Sequence, residues 1–458
     1  MIPLRLSEIA AVTGGTLHGE DVTVAGPAYL DSRAPVADGL FVAVVGERVD
    51  GHAYADGAHA VLGSRPTTAP TVVVADPVVA LGVLARHVLD RLDPVVVAMT
   101  GSQGKTGTKD YLAAVLRTLG GAGSVVATTA NHNNELGVPL TVLHADAGTR
   151  HLVVEMGARG VGHISYLCEI APPHIAAVLN VGTAHVGEFG GRDQIARAKG
   201  EIVEALPAGG TAVLNADDPL VAAMSDRTRA RVVRFGHAAD LSWRGLAMDV
   251  LGRPSFELGF EGRWHPVSLL ESGMHQISNA LAAAGMAVSA GFAAADVADA
   301  LSSARSASRW RMEITERADG LILVNDSYNA NPESMTAALE ALTDIGAASA
   351  AAGSPRRTIA VLGEMRELGD EHDAGHQSVG RTAASLGVDV VVVVTEAARG
   401  IADGASGGTG EVIVTAGRDE AEAWVRQNAG PEDVVLVKAS RGVALEVVAQ
   451  AILEETTA

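Results

Sequence analysis

Short apolar runs, each followed by a stretch with helical spacing, alternate along most of the chain, and this alternation limits the fold more than any other feature. The runs at 95–99, 151–155, 175–180 and 211–215 are apolar apart from residues at their ends, as strands covered by helices on both faces are. Helices between and after them read at 106–119 and 277–287. The same grammar resumes near Arg309, with strands expected at 321–325, 358–362, 388–394 and 434–437 and helices at 334–342 and 444–453. The small-residue stretch 346–354 reads as a surface loop. Ahead of residue 94 lie shorter apolar pieces at 41–45 and 71–74 and a helix at 79–92. Asp93-Pro94 then breaks the chain, because a residue before proline disfavours helix. No fixed-period repeat is present, which excludes a solenoid. An α/β protein of three domains, 1–93, 94–307 and 308–458, is the expectation.

Charge and cysteine usage remove whole classes of function. Thirty-four Lys and Arg against 54 Asp and Glu give a net charge of −20 over 458 residues. Such an acidic chain does not devote its main surface to nucleic acid or anionic lipid, although a local basic pocket stays open to it. With 48% hydrophobic residues it is not a disordered polymer. Cys168 is the single cysteine, so neither an internal disulfide framework nor thiolate zinc fingers can form. The apolar run 70–86 is cut by Asp76 and Arg86, short of the ~20 residues a span needs. No cationic, apolar leader opens the sequence, and a cytoplasmic protein is expected.

The sharpest local motif is Met99-Thr-Gly-Ser-Gln-Gly-Lys-Thr106, which follows an expected strand and opens an expected helix. That context is what a phosphate loop requires. Gly101, Ser102, Gln103 and Gly104 supply a backbone that can turn its N–H groups inward around phosphate oxygens, and the helix start adds its positive dipole end. Lys105 can neutralise terminal phosphate oxygens, and the Thr106 hydroxyl can reach Mg²⁺. The two glycines stand closer together than in the general phosphate-loop pattern.

This short loop resembles that of the Mur ligase superfamily, ATP-dependent enzymes that add amino acids to the peptidoglycan precursor. Further landmarks follow in order along the chain. They are Asn131-His-Asn-Asn-Glu-Leu-Gly-Val-Pro139, Glu155, Asn180 with His185, Ala198-Lys-Gly-Glu-Ile202, Asn215-Ala-Asp-Asp-Pro219, and His275 with Asn279. Asp326-Ser-Tyr-Asn-Ala-Asn-Pro-Glu-Ser-Met335, Leu362-Gly-Glu-Met-Arg-Glu-Leu-Gly369 and Lys438-Ala-Ser-Arg441 look like the branch that joins D-alanyl-D-alanine to a UDP-N-acetylmuramoyl-tripeptide. Gly107 departs from the pattern, standing where the family usually has another hydroxyl residue. The resemblance implies a small N-terminal domain receiving the UDP substrate, a central parallel-sheet P-loop ATPase domain and a C-terminal Rossmann-like domain. A monomer is expected.

The resemblance distributes roles over residues that the sequence alone leaves ambiguous. Glu155, at a strand end, and His185 become metal-site residues together with Thr106; read alone, each is an ordinary acid or a structural histidine. Lys199 is either a helix-surface lysine or, as the family implies, a carbamylated ligand to a second Mg²⁺. Asn279 either caps a helix or reads adenine, with Arg311 at the phosphates and Asp326 and Tyr328 near ribose and base. Ser32 and Arg33, in a polar turn, would receive the UDP part, and Asn133 and Asn134 the sugar or peptide. Asn329, Asn331, Lys438, Ser440 and Arg441 would line the dipeptide pocket, while Ser334 equally explains itself as a helix cap.

The implied chemistry is activation of a carboxylate. ATP transfers its γ-phosphoryl group to give an acyl phosphate, the dipeptide amine attacks the carbonyl, and phosphate leaves. Lys105, His185, Lys199 and Arg311 are the candidate catalytic residues, with ATP and two Mg²⁺ as cofactors. Rival readings are the ligase that adds the third amino acid, folylpolyglutamate synthetase, and a nucleotide-binding regulator without turnover. The segment from Asp326 to Met335 speaks against the first two, and joint retention of Lys105, Glu155, His185 and Lys199 against the third.

Overall fold

The computed structural model describes residues 1–46, 49–129, 131–182, 191–351, 353–366 and 368–454. Three main sheets follow one another along the chain. The first has five strands in the order Thr16–His18, Thr71–Val73, Ala60–Gly63, Leu40–Val42 and Ala28–Tyr29, parallel except at its Thr16–His18 edge. The second has nine strands. Val125–Ala127, His151–Glu155, Val95–Thr100, Ile175–Val178, Thr211–Asn215 and Arg231–Phe235 form its parallel part. An antiparallel meander, Leu241–Met248, Pro254–Phe260 and Arg263–Ser268, completes it. The third has six strands in the order Glu313–Glu316, Ile322–Asn325, Asp433–Lys438, Arg357–Leu362, Val390–Val394 and Glu411–Thr415, parallel except at its first pair.

Two helices explain how the first two sheets meet. Asp76 caps the helix Pro77–Leu92 through the amides of Val78 and Val79, with Pro77 in the first turn, where its missing N–H costs nothing. One face of this helix buries Leu81, Leu84 and Val88, and its core runs continuously into Val96, Val154 and Ile164 of the second sheet and its helices. Gly82 permits that approach, because a Cβ there would come within 3.1 Å of Ile170 Cδ1. On the other face of the central sheet, the helices Lys105–Gly120 and His275–Ser289 share a core built from Leu112, Val115, Ile277 and Leu281.

Several expectations are corrected. The stretch 346–354 is no loop up to its middle, since the helix Pro332–Ala351 runs through it. Alanine is the best helix former, and Gly346 lies where a Cβ would meet Thr358 Cγ2 at 2.8 Å, so small residues here mark close helix–strand packing. Asn331, and not Ser334, caps this helix: Asn331 Oδ1 accepts from the Ser334 amide at 2.8 Å, and Ser334 Oγ accepts from the Asn331 amide at 3.0 Å. Lys199 is no helix-surface lysine, since it lies buried in the body of the helix Arg192–Glu204. The helix expected at 444–453 begins at Glu446, because Ala444 takes a left-handed conformation. Among the described residues no helix is long and apolar enough to cross a membrane.

Candidate active site

A cavity of about 930 Å³ opens between the second and third sheets, and the phosphate loop forms one wall. The loop connects Val95–Thr100 to Lys105–Gly120, and Gly104 turns it with φ +79°. It is sewn to the neighbouring strand end. Asn180 Oδ1 accepts from the Gln103 amide at 3.0 Å, its Nδ2 donates to Gln103 O at 3.2 Å, and Ser102 Oγ accepts from the Gly182 amide at 2.9 Å. Gln103 therefore faces Asn180 with its amide, which leaves the N–H groups at the helix start as the free donors. Among the described residues no side chain accepts from the amides of that start. An uncapped helix N-terminus in a cavity wall suits an anion.

Lys105 folds back on its own loop, donating to Gly101 O at 2.5 Å. Burial pushes its ammonium below the usual lysine range, Glu155 opposes that, and Arg311 adds to it. Glu155 ends its strand 2% exposed and gathers two donors, Thr106 Oγ1 at 3.2 Å and Asn133 Nδ2 at 2.9 Å. A carboxylate and a hydroxyl this close, next to a phosphate site, are the hard oxygen donors that Mg²⁺ takes alongside phosphates and water. His185 lies outside the described residues.

Lys199 is buried, and among the described residues it has no hydrogen-bond partner. Burial, with Lys105 nearby, holds its amine well below the ordinary lysine pKa. Its neighbours explain the rest of the motif. A Cβ on Gly200 would collide with the Arg227 guanidinium, which donates to the carbonyls of Ala196 and Arg197. Glu201 accepts from the amides of Gly162 and Ser165, at 2.6 and 3.0 Å, and so caps the helix His163–Ile170.

Asn279 stands in the second turn of its helix and caps nothing. Its Oδ1 accepts from Thr108 Oγ1 at 3.3 Å and its Nδ2 donates to Gln276 Oε1 at 3.0 Å, so the amide braces the phosphate-loop helix from below. Gln276 lines the cavity, and sequence reasoning passed over it; its only signal was its place between His275 and Asn279. Asp110 was also missed. It accepts from Ser306 Oγ and the Ser308 amide and thereby ties the phosphate-loop helix to the segment leading into the third sheet.

The opposite wall comes from the third sheet. Arg311 lies 4.1 Å over the Tyr328 ring, and its buried Nε has no hydrogen-bond partner among the described residues. Burial raises the Tyr328 phenol. Lys438 is 2% exposed and donates to Asp326 Oδ2 at 2.5 Å and to Asn329 O at 2.8 Å. Ser440 Oγ accepts from the Arg366 amide at 2.8 Å, and Arg441 pairs with Glu446 while covering the Trp310 ring. Asn329, Asn331, Ser440 and Arg441 all line the cavity, as do Asn133 and Asn134. Asn134 also accepts from the Gly137 amide at 3.0 Å, at the start of the helix Gly137–Val142.

Ser32 and Arg33 are not brought to this cavity. Arg33 points into solvent and pairs with Asp31 at 2.8 Å, holding that carboxyl down at about 2.

Known proteins match this arrangement. Residues 99–287 fit the Mur ligase middle domain, and residues 310–441 fit the Mur ligase, glutamate ligase domain. The UDP-N-acetylmuramoyl-tripeptide–D-alanyl-D-alanine ligase of Mycobacterium tuberculosis strain H37Rv is 42% identical, over 100% of this chain and 99% of the relative. Its counterpart in Escherichia coli K12 is 34% identical over 100% of both chains. Among solved structures, a crystal structure of MurF from Acinetobacter baumannii superposes with a TM-score of 0.86, at 30% identity and 99% of each chain. The MurF ligase of Thermotoga maritima, crystallised with ADP, gives 0.79 at 30% identity, over 93% of this chain and 97% of that one.

Proposed function

The chain belongs to the Mur ligase family, and we propose that it is an ATP-dependent amide ligase joining D-alanyl-D-alanine to a UDP-N-acetylmuramoyl-tripeptide in the cytoplasm, acting as a monomer. The observation that carries this reading is one cavity with an uncapped phosphate-loop helix on one wall and Arg311, Lys438 and Arg441 on the other. We assign the UDP-receiving, ATP-binding and ligase roles to residues 1–93, 94–307 and 308–458.

The tripeptide carboxylate must lose an oxygen to form an amide, and phosphorylation turns that oxygen into a leaving group. The N–H groups at the start of Lys105–Gly120 and the Lys105 ammonium hold the β- and γ-phosphates. Arg311 meets the γ-phosphate from the other wall, so charge moving on to the transferring phosphoryl group finds donors already in place. Thr106 and Glu155, with His185, would hold Mg²⁺, which neutralises phosphate oxygens and orients them. Lys199, in which burial first and Lys105 second favour the uncharged amine, is suited to capture CO₂ as a carbamate and so present oxygens where an ammonium would repel a second Mg²⁺. Gln276 and Asn279 flank the base end, with Asp326 and Tyr328 beside it. The segment Asn329–Asn331 and the Lys438–Arg441 turn face the incoming dipeptide, and closing of the walls excludes water from the acyl phosphate. Ser32 and Arg33 take the UDP end, away from the reacting carboxylate.

The test is incubation with ATP, D-alanyl-D-alanine and UDP-muramyl tripeptides that differ at the third residue, with mass detection of products. Gain of one dipeptide per tripeptide, with one ADP formed, is expected. Transfer of single amino acids, or ADP formation independent of the dipeptide, would overturn the reading.

A further inference from the structure

Arg311 is bracketed by two residues in the left-handed region. Trp310 has φ +60° and Met312 has φ +52°. Side chains with a Cβ disfavour that region, and such residues persist only where their surroundings hold them. Trp310 is held by its carbonyl, which accepts from the Tyr328 amide at 3.2 Å, and by its amide, which donates to Glu313 Oε2 at 3.1 Å. Met312 is held by one buried bond, its amide donating to Asp326 Oδ1 at 3.1 Å. The other Asp326 oxygen is occupied by the buried Lys438 ammonium. Both Asp326 oxygens thus serve the protein, while Arg311 projects into the cavity with an Nε unpartnered among the described residues.

We propose that Asp326 is a positioning residue that acts through Met312, clamping its backbone in the left-handed conformation that aims Arg311 at the phosphate end of the cavity. Lys438 serves this arrangement by fixing the carboxylate. The proposal rests on the reading of the cavity as an ATP site.

The test is a pair of substitutions in two backgrounds. Asp326→Ala and Lys438→Met are each made in the wild-type chain and in Met312→Gly. Glycine adopts positive φ without a Cβ penalty and no longer needs the clamp. Asp326→Ala is expected to lower kcat by about 100-fold in the wild-type background, the scale of losing one transition-state donor, with a much smaller change in KM for ATP. In Met312→Gly the same substitution should cost under about tenfold, and the Lys438→Met loss should shrink with it, because Lys438 acts by fixing the same carboxylate. An equal Asp326→Ala loss in both backgrounds would overturn the proposal and leave Asp326 as a nucleotide contact or a simple ion-pair partner.

A second readout is the affinity of a non-hydrolysable ATP analogue relative to ADP, by calorimetry. Asp326→Ala should erase the preference for the analogue and Met312→Gly should restore it; no restoration also refutes the clamp. Should the wild-type chain form no ligation product, the ligase reading fails, while the analogue-to-ADP ratio still decides the clamp. Thermal melts confirm folding, and if Met312→Gly does not fold, Met312→Asn replaces it, asparagine being several-fold enriched at positive φ.

Discussion

Replacing Gly104 by alanine separates the two demands that the phosphate loop makes on that position. Its φ of +79° costs a residue with a Cβ about 1–2 kcal/mol. The added carbon would also stand 2.5 Å from Asn279 Oδ1, closer than real contacts allow, so the amide must move. That movement breaks the bond from Thr108 Oγ1, worth about 1 kcal/mol. The sum, about 2–3 kcal/mol, is smaller than a typical stability of about 5–15 kcal/mol, so the variant folds. Gly14→Ala is the control, because its φ is +66° and nothing lies within 4 Å of an added Cβ; it should cost the backbone share alone. Gly107→Ala isolates the contact, its Cβ reaching Asn279 Nδ2 at 2.9 Å without positive φ, and helix propensity offsets part of that cost. Urea denaturation gives the three stabilities and calorimetry the affinity for an ATP analogue. Gly104→Ala should be the most destabilised and should bind at least about tenfold more weakly, since the N–H cradle is deformed. If it matches Gly14→Ala in stability and the wild type in affinity, the amide brace under the loop plays no part in holding phosphate.

Three further expectations follow from other parts of the molecule. Lys199→Ala should be nearly inactive and partly rescued by formate or acetate; rescue by alkylamines instead would show that the residue acts as a cation. The buried Cys168 thiol is pushed up to about 12 from its usual 9.0, by burial first and then by Glu201 and Glu169. Its folded pKa is raised, so the protonated thiol favours the native state fully below pH 9, and this share is lost as pH rises toward 12, at up to about 1.4 kcal/mol per unit. Thiol reagents at pH 8 should accordingly label Cys168 only at the rate of unfolding; prompt labelling would contradict its burial. Asn331→Ala should remove the cap of the helix Pro332–Ala351 and cost about 1 kcal/mol in urea titration, and an unchanged midpoint would refute the capping role.

The parallel core was legible because buried strands repeat as apolar runs, and the runs near 95, 151, 175 and 211 became neighbouring strands of one sheet. The meander from Leu241–Met248 to Arg263–Ser268 was not legible, since its partly exposed strands carry mixed residues such as Arg244, Glu257 and His265. In the site, the phosphate loop declared itself through glycine spacing, whereas Glu155 stood out only through the family resemblance. Gln276, Asp110 and Met312 gave no comparable signal. Their parts depend on which side chain reaches which across the fold, with Thr108 and Asn279 171 positions apart and Ser308 and Asp110 198 apart. The left-handed backbone of Met312 was hidden for a different reason: methionine does not advertise positive φ as glycine or asparagine does.

The charges of the cavity have a consequence for how ligand and fold depend on one another. A chain of net charge −20 collects Lys105, Lys199, Arg311, Lys438 and Arg441 around one space. Lys438 has Asp326 and Arg441 has Glu446 as partners within the protein. Among the described residues Lys105 donates only to loop carbonyls and Lys199 finds no hydrogen-bond partner. Burial depresses both amines, and each is further lowered by a cationic neighbour, Arg311 for Lys105 and Lys105 for Lys199. An ammonium such as that of Lys105, held by carbonyls alone in a low-dielectric space, is costly, and an arriving polyanion would relieve that cost directly. The same charges therefore oppose the ligand-free arrangement and favour the bound one. Arg311 and Lys438 reach the space from the third sheet and Lys105 from the second, so on the proposed reading a bound polyanion would also attract the two walls to each other. At a hundredfold excess over its dissociation constant such a ligand adds about 2.7 kcal/mol to stability, enough to shift the balance between separated and closed walls.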